Sequence, residues 1–138
     1  MASPKETGLS EIALRFFKGK NFGHLSTIMS DGSPQSTPVW LDHEDGKYIL
    51  INTAEGRIKP RNVVRDSRVA VSVIDQSDPY QMVAIRGRVI ETITGQNADD
   101  HIDSLAKKYL GLDEYPYRKP GERRIILRIK PEHEARNP

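Results

Sequence analysis

Six apolar runs of strand length follow one another along this chain, most of them with little more than a turn between, and that succession limits the fold more than any other feature. They span Phe22 to Ile28, Gln35 to Leu41, Lys47 to Thr53, Arg68 to Ile74, Tyr80 to Ile93 and Arg123 to Ile129. Ser30-Asp31-Gly32-Ser33 and His43-Glu44-Asp45-Gly46 separate the first three. Asp-Gly pairs favour tight hairpins, so these three strands are expected to form an antiparallel meander. Gly87, inside the longest run, marks a bulge or a close backbone approach. Pro131 is expected to stop the last strand.

The helical signals are fewer. Leu9, Ile12, Ala13, Phe16 and Phe17 fall on one helical face, with Ser10 placed as N-cap and an end near Gly19. Pro60 suits the first turn of a short helix reaching about Asp66. Ile102, Leu105, Ala106, Tyr109 and Leu110 define a longer helix that Gly111 closes. Parallel strands need long crossover connections, and this chain lacks them. A mainly β fold follows: a six-stranded antiparallel split β-barrel with flanking helices, built as one domain over residues 1–138.

Composition removes whole classes of function. No apolar stretch approaches the roughly 20 residues that span a bilayer, and the opening residues hold no secretory core, so a cytoplasmic protein without membrane contact is expected. There are no cysteines, which excludes disulfide scaffolds, thiolate metal sites and thiol nucleophiles. The four histidines show no metal-ligand spacing, and no serine sits in a nucleophile elbow, so neither a metal nor a catalytic side chain is expected. A net charge of +2 gives nucleic-acid binding little support, and no strand interleaves aromatics with cations.

Charge distribution says more than its sum. Five cations, Arg57, Lys59, Arg61, Arg65 and Arg68, stand within twelve residues against the single acid Asp66. The order strand, Gly56, basic loop and helix start suits an anion, because helix N-terminal N–H groups and cationic side chains both attract phosphate. A solvated basic surface is the alternative. Trp40 is the only tryptophan and serves either as core or as a wall for a flat ring. Tyr80, Gln81 and Met82 open the longest run, where they suit a planar ligand or a subunit contact.

Taken in order, Gly32-x-Pro34-x-x-x-Pro38-Val39-Trp40, Thr53-x-x-Gly56-Arg57-x-Lys59-x-Arg61-Asn62-x-x-Arg65-Asp66-x-Arg68-Val69 and Arg86-Gly87-Arg88-Val89 carry a family likeness. The chain resembles the coenzyme F-420-dependent, deazaflavin oxidoreductase group of the pyridoxamine phosphate oxidase-like, FMN-binding split-barrel superfamily. The resemblance continues through Tyr109-Leu110-Gly111 and Tyr115-Pro116. It implies a homodimer with a cofactor in each of two interface clefts. The phosphate and acidic tail would meet Arg57, Lys59 and Arg61, with contacts from Ile58, Pro60 and Asn62. The ring system would lie along Val39, Trp40 and Thr53, and Tyr80, Gln81 and Met82 would come from the partner subunit.

The same resemblance leaves coenzyme F-420 and FMN as cofactors, and a non-catalytic carrier as a further reading. Five cations exceed what one phosphate requires, which favours the deazaflavin with its carboxylate-rich tail. Reduced deazaflavin is a hydride donor, so the expected activity is hydride transfer to a small electron-poor organic substrate. Longer relatives continue past Pro138 to border the substrate cleft, so the substrate itself is left open.

Overall fold

The computed structural model describes residues 8–137. Most of the residues before the first helix, on which the targeting reading partly rests, lie outside that range. The Ser10 hydroxyl caps helix α1 (Glu11–Lys18) by accepting from the Ala13 N–H at 3.0 Å. Ala13, Phe16 and Phe17 bury the helix's apolar face as their spacing requires.

One seven-stranded antiparallel sheet follows, in the order β2-β1-β5-β6-β7-β4-β3. The strands are β1 (Gly23–Ile28), β2 (Pro34–Val39), β3 (Asp42–Glu44), β4 (Tyr48–Ala54), β5 (Arg68–Ile74), β6 (Met82–Ile93) and β7 (Arg124–Arg136). The edges, β2 and β3, are joined by only Trp40 and Leu41, so the sheet must curl round until its ends meet. That seam is the split of the barrel. Inside it lies one core of aliphatic side chains, with Leu25, Leu41, Ile51, Val71, Ile85 and Leu127 almost fully buried.

Three sequence expectations need correction. The first three predicted strands do not form a meander. The β2 strand pairs with β1 alone, whereas β4 pairs with β7 from Ile49 opposite Ile129 to Ala54 opposite Arg124. Pro34 and Pro38 each lack an N–H, so β2 suits an edge, and the chain then crosses the barrel mouth through Trp40. The barrel also has a seventh strand. Asp42–Glu44, whose last two residues were read as turn because the segment is short and polar, pairs with β4, and the reversal begins at Asp45. Asp45 and Gly46 take φ of 53° and 67°, the hand of turn that matches strand twist.

Pro131, finally, does not end the last strand. It lies opposite Gly87 where the β6–β7 register shifts, so its missing N–H falls at a bulge instead of a regular ladder site. Gly87 is also a close approach: a Cβ there would run into the Lys130 carbonyl. Tyr80 and Gln81 precede β6 in a turn. Helix α2 (Ile58–Arg65) links β4 to β5, and α3 (Gln96–Leu110) packs Ile102, Leu105 and Tyr109 beside the seam and ends at Gly111. No helix among the described residues is long and apolar enough to cross a membrane.

Candidate functional site

A cleft of about 300 Å³ opens at the seam. Val39 and Trp40 reach it from the end of β2, Asn52 and Thr53 from the end of β4, and Arg57 and Lys59 from the start of α2. Ile102 and Leu105 form its apolar side, and Tyr115 and Tyr117 border it from the loop after α3. Trp40 is half-buried. Its indole lies parallel to the Tyr109 ring at 5.1 Å and meets the edge of Tyr115 at 6.0 Å. Tyr109 is itself fixed, accepting from the Leu41 N–H at 2.9 Å and donating to the Asn21 carbonyl at 2.6 Å. Burial pushes its hydroxyl up to about 12.

The polar end of the cleft is cationic. Arg57 sits at the N-cap of α2, whose first N–H groups, on Ile58 and Lys59, have no carbonyl within the helix to bind. No acid occupies that first turn. Lys59 donates to the Thr37 hydroxyl at 3.2 Å. Burial, followed by the charges of Arg57 and Arg124, holds its ammonium below the ordinary lysine value. Glu122 is the carboxylate between the arginines, 3.4 Å from Arg57 and 3.0 Å from Arg124. Arg57 and Arg124 thus share one carboxylate, and Lys59 lies near enough to feel both of their charges. Thr53 is 1% exposed, and its hydroxyl has no hydrogen-bond partner among the described residues.

The sequence model of the pyridoxamine 5'-phosphate oxidase family matches residues 9–136. The chain belongs to this family. Among solved structures it is similar to an F-420 reductase, at 27% identity and a TM-score of 0.76, covering 88% of this chain and 94% of that one. Two further likenesses concern the fold. The general stress protein 26 of Bacillus anthracis is 20% identical with a TM-score of 0.61, over 92% of each chain. A conserved hypothetical protein of Mycobacterium tuberculosis is 20% identical with a TM-score of 0.67, over 99% of this chain and 89% of that one.

Within this family member, the residues expected from the sequence fall into four groups. Val39, Trp40, Thr53, Arg57 and Lys59 line one cleft. Ile58, Arg61 and Asn62 border a second depression on the other flank of α2, beside Met29 and Arg65. There the Asn62 side chain, 2% exposed, is held by Thr27, Met29 and Arg65. Pro60 is buried in the helix. Tyr80, Gln81 and Met82 are not among the residues lining the cleft, and Tyr80 is 80% exposed.

Two polar cleft residues, Asn52 and Arg124, and the two residues bonded to them, His101 and Glu122, were missed. Asn52 lies within a strand read as a simple apolar run, and Arg124 opens the last one. Glu122 closes the preceding loop, and His101 is isolated on α3. The pairing of β4 with β7 brings Asn52 to Arg124 across 72 residues, a relation no local motif records.

Proposed function

We propose that this protein is an oxidoreductase that binds coenzyme F-420 in the seam cleft of a homodimer and passes a hydride to a small electron-poor organic substrate. The carrying observation is the cluster of Arg57, Lys59 and Arg124 on the cleft wall, of which Arg57 and Arg124 share the Glu122 carboxylate. Three cations held together in a partly buried cleft favour an anion among them. The similarity to an F-420 reductase supports the deazaflavin.

The residues present fit such a group. Arg57, Lys59 and the free N–H groups of α2 would hold the phosphate, and Arg61, on the outer flank of the same helix, the acidic tail. Trp40 and Val39 offer a flat apolar wall, and the unpartnered Thr53 hydroxyl offers a hydrogen bond to the ring edge. The bound cofactor would supply the hydride chemistry. The protein's part is to bind, orient and exclude water, for which Trp40, Tyr109 and Tyr115 form an interlocked set.

A second copy is proposed to close the cleft. The outward residues of the sheet align across strands as Ser36, Ser26, Ala70, Arg86 and His133, and as Pro38, His24, Ser72, Ala84 and Ala135. Solvated sheet faces are usually polar and charged, whereas small residues dominate the middle of this one, leaving a flat surface for another sheet. Tyr80, Gln81 and Met82 stand at its margin, from which they would reach the partner's cleft.

The test is to mix the protein with coenzyme F-420 or FMN, re-isolate it and record its absorbance, then supply reduced deazaflavin and electron-poor acceptors. Co-elution of the deazaflavin and acceptor-dependent oxidation support the proposal. Retention of FMN alone assigns the cleft to flavin. Binding without turnover marks a carrier.

A further inference from the structure

A polar chain runs from the cleft-lining Arg124 through Asn52 of β4 and His101 of α3 to Asp42 of β3. Arg124 Nε donates to Asn52 Oδ1 at 2.9 Å. Asn52 Nδ2 donates to the Ala98 carbonyl at 3.0 Å and meets His101 Nδ1 at 3.1 Å. His101 Nε2 lies 2.9 Å from Asp42 Oδ2. An arginine has no acceptor, so its contact fixes which end of the Asn52 amide is oxygen. The Nδ2 end can then only donate, so His101 Nδ1 accepts and the ring proton sits on Nε2, facing Asp42. Every bond in the chain points the same way.

The direction matters for Arg124. Its guanidinium carries two fixed bonds, Nε to Asn52 and Nη1 to Glu122 at 3.0 Å, and lies 5.2 Å over the Tyr115 ring. The side chain is 3% exposed and lines the cleft, yet Nη2 has no partner among the described residues. Arg57, by contrast, is 46% exposed, with one contact at 3.4 Å. A rotamer-locked donor loses less freedom on binding than a mobile one.

We propose that Arg124 is the fixed cation of the cleft's anion site, its Nη2 donating to an anionic oxygen of a phosphate ester. Asn52 and His101 are positioning residues that hold it there. The inference rests on the reading that the cleft receives a phosphorylated planar cofactor. It adds a residue from the last strand to a site whose other cations come from the start of α2.

Two variants separate geometry from charge. Arg124→Lys keeps the charge but loses the fork, and Asn52→Asp keeps the shape but sets a carboxylate against Nε. Each is titrated with coenzyme F-420 and with FMN at two salt concentrations, and inorganic phosphate is used as a competitor. Arg124→Lys is expected to weaken the bound cofactor at least tenfold with its salt dependence retained. Asn52→Asp is expected to weaken it similarly with a shallower salt dependence, and His101→Gln to weaken it a few-fold. If Arg124→Lys does not fold, Asn52→Asp, which leaves an ion pair in the same space, decides alone. Affinities within twofold of the parent in the folded variants overturn the proposal and leave the cofactor reading intact. Should the parent bind neither cofactor while inorganic phosphate still raises its melting temperature, more than that of Arg124→Lys, the anion site stands and the cofactor reading falls.

Discussion

Trp40 and Tyr109 stack face to face, with centroids 5.1 Å apart and planes 5° from parallel. One face of the only tryptophan is therefore spent on α3, and the indole is fixed where the chain crosses from β2 to β3. Tyr109 transmits that fixity, because its hydroxyl holds Leu41, the next residue after Trp40, and Asn21.

Tyr109→Phe keeps the stack and deletes both hydroxyl bonds, leaving the Leu41 N–H and the Asn21 carbonyl without that partner. A stability loss of about 1–3 kcal/mol is expected by denaturant unfolding. An unchanged midpoint would mean that water replaces the hydroxyl.

Lys59→Ala removes a charge-assisted contact of about 1.5–3 kcal/mol, roughly a ten- to hundredfold loss of cofactor affinity. Arg15→Ala, a cation on α1, is the control. Equal affinities in the two variants would remove Lys59 from the site. A larger loss for coenzyme F-420 than for FMN would place the acidic tail near it.

The same lysine sets a pH dependence. Its ammonium is held below the usual 10.5 in the free protein, and a bound anion would raise it, so binding takes up a proton between the two values. Affinity is constant below the free-state value and declines as pH rises through it. Titrations from neutral to strongly alkaline pH check this, and Lys59→Ala should flatten the decline.

Light scattering tests the dimer. The parent is expected at twice the monomer mass, and Ala70→Arg, placed in the middle of the small-residue face, is expected to shift it toward monomer with its fold intact. A monomeric parent that still binds cofactor contradicts the interface cleft.

Gly87→Ala must push a methyl group against the Lys130 carbonyl, which is backbone and cannot turn aside. A loss of about 1–3 kcal/mol is expected in thermal unfolding.

Local signals in the sequence were sufficient where a local cause acts. Ser10 as cap, the bulge at Gly87 and the strand Arg68–Ile74 all appear where their residues place them. The basic loop and Trp40 were legible as a candidate site for the same reason: a helix start and a lone indole can be read from neighbours. What escaped was non-local. The pairing of β4 with β7, which puts Asn52 beside Arg124, depends on barrel closure and leaves no trace in either segment. Asp42–Glu44 is a strand only because Tyr48–Leu50 lies beside it, and Pro131 survives in a strand because Gly87 faces it.

Fluorescence titration of the sole tryptophan addresses the cleft most directly, since Trp40 lines it beside the cations. Coenzyme F-420 added to the protein should quench that emission to saturation at one equivalent per chain, with an affinity that weakens as salt is raised. Quenching with no saturation, or saturation indifferent to salt and to Lys59→Ala, would contradict an anionic cofactor held in this cleft.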